Sequence, residues 1–272
     1  AGGARLLVDC GMYQGSKTMK ALNYRDFPFD PRKIDAVILT HAHIDHSGLL
    51  PKLCKAGFKG RIAATRGTID LCAIMLPDSG HIQELEVELL NRRNRQRGRD
   101  EVVPIYTAAD AIAALNQFRL MDYDTWFEPV PGIRARFWNA GHILGSASVE
   151  MEIAENDGTP LRLLFSGDIG PDDKLLHPDP DAPAGFDYVV CESTYGDTDR
   201  PITDAAGRRE HLAAEIRDAY NAEGALLIPA FAVERTQELI LDIVELMQTG
   251  AIPEASIFVD SPLAIRATQV FA

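Results

Sequence analysis

Apolar and polar positions alternate along this chain in two distinct rhythms. Short runs rich in apolar and β-branched residues recur at Leu6–Val8, Ile34–Leu39, Arg61–Ala63, Ile133–Trp138, Ser148–Ile153, Leu161–Phe165, Tyr188–Val190, Ala225–Ile228 and Ile257–Val259, and each reads as a strand. Helical spacing appears between them at Ser47–Lys55, Thr68–Leu76, Ile82–Asn94, Ala108–Asn116, Asp204–Asn221 and Thr236–Met247. Strands mixed with helices throughout predict an α/β architecture. The stretch Val130–Phe165 holds three strand-like runs, and Asn156-Asp157-Gly158 is a strong hairpin signal. After about Thr198 the texture shifts to charged helices between short apolar strands, so a domain boundary is expected near Gly196–Pro201.

Composition narrows the class. The 272 residues are 46% hydrophobic and 25% charged, the balance of a globular protein with a large core. No stretch of 18 apolar residues suggests a membrane span. Cys10, Cys54, Cys72 and Cys191 are scattered, which suggests buried free thiols in a reducing compartment, with the cytoplasm as the default. A net charge of −13 argues against broad attraction to nucleic acid, although it leaves room for one positive cleft. The chain opens directly on a strand and closes on the helical run Leu263–Ala272, so a piece of a longer protein is expected. Assembly as a homodimer stays open.

The densest chemistry follows Ile34–Leu39, an almost wholly apolar run that reads as a buried central strand. Immediately after it comes His41-Ala42-His43-Ile44-Asp45-His46. In extended backbone, residues i and i+2 point to one side roughly 6–7 Å apart, so His41 and His43 can aim at one ion. Asp45 and His46 then open a helix and turn toward a second. Nitrogen and oxygen donors at this spacing suit zinc. Gly141-His142-Ile143-Leu144-Gly145 sets a histidine between glycines at a strand end. Ser166-Gly167-Asp168 puts a carboxylate at the carboxyl end of Leu161–Phe165, where α/β sheets commonly place ligands.

Taken in order, Asp9 within LLVDCG, then HAHIDHSG, GHILGS and SGDIG resemble the motif set of the metallo-β-lactamase superfamily. The resemblance implies an αββα sandwich in which His41, His43 and His142 hold one metal and Asp45 and His46 a second. Asp168 would bridge the two zinc ions, and Asp9 would orient the ligands from behind. Past Asp168, Cys191-Glu192-Ser193-Thr194-Tyr195-Gly196 and the stretches Ile228–Leu239 and Val259–Ala264 are similar to the β-CASP branch of RNA-processing metallohydrolases. That similarity implies a metallo-β-lactamase domain over residues 1–197 and the first part of an inserted α/β domain over 198–272.

The implied chemistry is hydrolysis of RNA phosphodiesters by a hydroxide between two metals about 3.5–4 Å apart. Asp45 and Asp168 would fix the hydroxide, and Glu192 would help move a proton to the leaving oxygen. Ser193, Thr194 and Arg235 are expected to touch substrate. Two other readings stay open: a small-molecule hydrolase of the thioester type, and a non-catalytic RNA-binding subunit. One departure stands out. The family draws further histidines from beyond its inserted domain, whereas after Asp168 this sequence offers only His177 and His211, both read as surface residues. The missing ligands are expected beyond Ala272, so this stretch alone should bind its second metal weakly and hydrolyse RNA poorly. The arginines 92, 93, 95, 97 and 99 read as a solvated helix end, His81 as a helix N-terminal residue, and Trp126 and Trp138 as core.

Overall fold

The computed structural model describes residues 3–155, 158–199 and 204–272. Asn156 and Asp157 of the expected hairpin turn, and residues 200–203 at the expected domain boundary, lie outside the described residues. Strands β1 (Leu6–Val8), β2 (Ala36–Ile38), β3 (Arg61–Ala64) and β4 (Phe118–Leu120) form a parallel sheet in that order. Strands β5 (Phe127–Val130), β6 (Ile133–Asn139), β7 (Ala147–Ile153), β8 (Leu161–Phe165) and β9 (Tyr188–Val190) form a second sheet, antiparallel except for β8 and β9. The helices are α1 (Lys17–Ala21), α2 (Ile44–Ser47), α3 (Leu50–Lys55), α4 (Arg66–Gln96), α5 (Ala108–Ala114), α6 (Ala205–Asn221), α7 (Arg235–Gln248) and α8 (Pro262–Phe271).

The period-2 pattern of β2 explains the layering. Ala36 and Ile38 face the second sheet and pack with Val130, Ala135, Phe137, Val149 and Met151. Val37 and Leu39 point the other way, into a core shared with Leu50 and Leu53 of α3, Leu71 and Leu76 of α4 and Ala111 of α5. A strand buried on both faces must be apolar at every position, which is why its sequence does not alternate. A separate small core, Ala213, Ile243, Leu246 and Ile252, joins α6 to α7. Among the described residues, no helix is long and apolar enough to cross a membrane.

Several expectations need correction. The two helices expected at Thr68–Leu76 and Ile82–Asn94 are one, because α4 runs through Pro77. Tertiary contact holds it together there: Gly80 sits so close to the backbone of Thr107 and Ala108 that a Cβ would lie 2.7 Å from it. The expected helix Ser47–Lys55 is instead the pair α2 and α3, separated by a turn at Gly48 and Leu49. Strands β4 and β5 escaped the pattern because they are short, and β5 contains Pro129. Ala225–Ile228 and Ile257–Val259 are not strands. Leu227 and Phe258 are 91% and 88% exposed, and an apolar β pattern makes no strand without a neighbour to complete its backbone hydrogen bonds.

Trp126 and Trp138 are half-buried on the outer face of the second sheet, not in the core. Their rings flank the Arg136 guanidinium at 4.6 and 4.4 Å, and Trp138 Nε1 donates to the fully buried Glu150. All four cysteines are free, but Cys191 is exposed and Cys54 only partly buried. His81 lies mid-way along α4 and is exposed. The five arginines near the end of α4 are exposed, as a solvated helix terminus requires.

Candidate metal centre

The first loop is shaped by contacts from β1. The chain leaves that strand at Asp9, whose φ is +62°, and runs antiparallel to the histidine segment: Cys10 N–H donates to the His46 carbonyl and Met12 N–H to that of Ile44. Gly11 is obligatory there, since a Cβ would lie 1.5 Å from the Asp45 carbonyl oxygen. Ser47 Oγ donates to the carbonyls of Ala42 and His43 and closes the turn from inside.

The other two loops meet it through backbone. Ala147 N–H donates to the Thr40 carbonyl, and Gly170 N–H to that of Ala140. Thr65 and Thr68 hydroxyls both donate to the Gly145 carbonyl, and Ser146 Oγ accepts the N–H groups of His142 and Ile143. Gly170 packs on the Gly141 carbonyl, where a Cβ would come within 1.8 Å. Strand ends from both sheets thus deliver His41, His43, His142 and Asp168 to one point.

The convergence is tight. His43 Nδ1 lies 3.1 Å from His41 Nε2 and 3.1 Å from His142 Nε2. Asp168 Oδ2 lies 3.4 Å from His142 Nε2 and 3.7 Å from His41 Nε2. These four donor atoms all fall within 4.8 Å of one another. Ligand atoms at about 2.0–2.1 Å around a tetrahedral ion sit roughly 3.3 Å apart, so the set fits a metal of that size.

The protonation pattern supports the same assignment. Burial, reinforced by the neighbouring histidines, drives His41 well below the ordinary 6.5. Burial also lowers His43, and with the neighbouring His43 it brings His142 to about 4. Three neutral imidazoles then turn nitrogens toward one another at contact distance, an arrangement a cation satisfies. Asp168 is held below the usual carboxylate range, mainly by the hydrogen bond from His46, and stays ionised.

Behind the cluster runs a relay that sets ring orientation. Asp9 Oδ1 accepts the Thr40 N–H at 2.8 Å, and Asp9 Oδ2 accepts both the Thr40 hydroxyl at 2.9 Å and His46 Nδ1–H at 2.7 Å. Thr40 Oγ1, its own proton committed to Asp9, accepts from His41 Nδ1 at 3.0 Å. That leaves His41 Nε2 as the free lone pair. His46 Nε2 faces Asp168 Oδ1 at 3.1 Å. Burial disfavours charge on His46, but hydrogen bonds to Asp168 and Asp9 outweigh it and raise its pKa to about 10.

The family model for the metallo-beta-lactamase superfamily matches residues 1–204. The chain belongs to the metallo-beta-lactamase superfamily. The resemblance drawn from its motifs is borne out, and so is the α/β sandwich it implied. A ribonuclease of Thermus thermophilus is 38% identical over 272 residues, covering 100% of this chain and 56% of the relative. A transcription termination factor of Methanosarcina mazei is 31% identical, covering 98% of this chain and 40% of the relative. An endoribonuclease of Yarrowia lipolytica is 29% identical, covering 99% and 30% respectively. The chain therefore spans only about half, or less, of the length of these relatives.

Within the superfamily site, the remaining expected residues fall in different places. Asp45 is exposed at the start of α2 and outside the four-atom cluster, while His46 joins it through Asp168. Glu192 accepts the Ile169 N–H at 2.7 Å and faces the Thr194 N–H at 3.4 Å, and its own N–H donates to Ser166 Oγ. It thereby braces the loop that carries Asp168. Ser193 and Thr194 are exposed beside it. Arg235 pairs with Glu238 at 3.0 Å on its own helix.

His211 is exposed on α6, as expected. His177 is not a surface residue: its side chain is 6% exposed and lies 2.7 Å from Glu234. The sequence motifs do not point to Thr40, Lys174 or Glu234 as parts of the site. Thr40 carried a signal, a hydroxyl between an apolar strand and the first histidine. Glu234 falls within the stretch Ile228–Leu239, but nothing local marks its own role, because its partners lie 57 and 60 residues away.

Proposed function

We propose that this chain carries the metal centre of an RNA-cleaving phosphodiesterase of the β-CASP branch. The observation that carries this reading is the convergence of His41, His43, His142 and Asp168 in a chain similar over its whole length to a ribonuclease. The ESTYG segment that begins at Glu192 supports the branch. Imidazole and carboxylate donors of this size support zinc, with His46, Asp45 and Asp168 holding a second ion. When bound, such a pair supplies an activated water and neutralises charge on the phosphate.

The protein residues do the rest. His41, His43 and His142 are kept neutral by burial and ready to bind without first losing a proton. Asp9 and Thr40 hold the rings in register. Glu192 anchors the backbone next to Asp168 and lies close enough to His142 to act on its charge. We assign it proton transfer at the leaving oxygen, with Ser193 and Thr194 at the mouth of the cleft. Arg235, more than half exposed, is free to exchange Glu238 for a phosphate.

Residues 1–197 form the metal-bearing domain in this reading, and 198–272 the beginning of a second one, supported by its separate small core. Four free cysteines support a cytoplasmic location. A homodimer is supported by the exposed apolar stripe Ile82, Leu85 and Leu89 along α4. The full-length protein, loaded with zinc, is offered a 5′-labelled RNA and an acyl thioester in parallel. Cleavage of RNA alone is expected; turnover of the thioester alone would replace this reading with a small-molecule hydrolase.

A further inference from the structure

A buried ionic cluster lies directly behind His142. Glu234 Oε1 lies 3.0 Å from Lys174 Nζ, and Glu234 Oε2 lies 2.7 Å from His177 Nε2. The side chains of Glu234, Lys174 and His177 are 8%, 13% and 6% exposed. Lys174 Nζ also donates to the backbone carbonyl of His142. Lys174 and His177 stand on the loop after Asp168, so one carboxylate from the start of α7 holds the Asp168 loop and, through Lys174, the His142 loop.

Glu234 is held at a backbone cost. Its φ and ψ are +71° and −67°, and Arg235 N–H donates to the Val233 carbonyl at 3.0 Å across it. That is a tight three-residue turn in the left-handed half of φ, which a residue with a Cβ adopts only under strain. Glu234 is also the N-terminal cap residue of α7, yet its side chain makes no capping bond to that helix. The carboxylate turns away from the helix amides toward the metal loops. A strained backbone, a buried charge and a forgone cap all serve the same two contacts.

We propose that Glu234 is a positioning residue for the metal centre: through Lys174 it sets the His142 loop, so that the seating of α7 fixes the third imidazole. The inference rests on the reading of the four-residue cluster as a metal site. It makes the start of the 204–272 segment part of the ligand scaffold, so a change in α7 is felt at the metal.

The test uses the full chain, stripped of metal and titrated with Co²⁺, whose visible absorption reports ligand geometry. Glu234→Gln keeps shape and removes charge; Glu234→Gly also relieves the turn. Both are expected to weaken Co²⁺ binding about tenfold and alter the absorption bands, the size typical of lost support behind a ligand. Glu234→Gly should recover thermal stability relative to Glu234→Gln without recovering cobalt affinity. Lys174→Met cuts the same link from its other end and should weaken cobalt equally, with no further loss in the double variant. Wild-type affinity and bands in Glu234→Gln or Lys174→Met, with only the melting temperature lowered, would make the cluster a mere anchor and overturn the proposal. If the wild type takes up no Co²⁺, the metal reading itself fails and this inference with it, a result distinct from the first.

Discussion

His46 Nδ1 lies 2.7 Å from Asp9 Oδ2, and this contact determines which nitrogen of His46 faces the cluster. A carboxylate only accepts, so Nδ1 carries the proton and Nε2 points at Asp168. The same Asp9 oxygen also orients His41 through Thr40. Replacing Asp9 with Ala is expected to lower metal affinity about 10- to 100-fold, the usual effect of losing a ligand's hydrogen-bond partner. Calorimetric zinc titration of the two proteins checks this, and equal affinities would refute it.

The shifts at His46 and His142 have opposite consequences for the metal-free protein. His46 binds its proton more tightly folded than unfolded, so its stabilisation is complete below about pH 6.5 and is lost as pH rises toward about 10. His142 is held neutral down to about 4, so the unfolded state gains a proton first and stability falls as pH drops from about 6.5 to about 4. His41 and His43, also lowered, add to that acid loss. Melting temperatures of chelator-stripped protein should therefore peak near neutrality and decline on both sides. A flat profile would contradict the assignments.

Metal uptake should show the same asymmetry. Near neutral pH the histidines of the three-histidine position are already unprotonated and lose no proton on binding, whereas a metal on His46 Nε2 must displace one. Zinc titration in weakly buffered solution at pH 7 is expected to release about one proton more with the second equivalent than with the first, the His46 proton, over and above what metal-bound water gives up. Release with the first equivalent alone would reverse the assignment.

Gly11 predicts a steric limit. A methyl group there meets the Asp45 carbonyl at 1.5 Å, and neither backbone can yield without moving the histidine loop. Gly11→Ala should cost about 3 kcal/mol or more in urea unfolding. A loss below about 1 kcal/mol would show that the two segments are not locked together.

Sequence separation decides how much of this is legible in the amino-acid sequence. The ligands in HAHIDH fall within six residues, and strand geometry alone aims two of them. His142 and Asp168 became candidates through the order of their motifs, since each is an ordinary residue in isolation. The strand positions with a buried face were readable, but β5 was hidden by Pro129 and the continuity of α4 by Pro77. Where an apolar run finds no partner strand among the described residues, as at Leu227 and Phe258, the pattern predicts a strand the fold does not make. The contacts of Glu234 were invisible because local spacing says nothing about partners 57 and 60 residues away, nor about a positive φ on a glutamate. His177 looked like a loop histidine for the same reason.

We propose that the cluster around Asp168 hydrolyses RNA. The most direct test is incubation of the zinc-loaded full-length protein with 5′-labelled RNA, beside an Asp168→Ala variant shown to be folded. Cleavage by the wild type is expected, with a rate at least about 100-fold lower in the variant, since Asp168 is the carboxylate we propose to be shared by both metals. Equal cleavage by the two proteins would contradict the proposal.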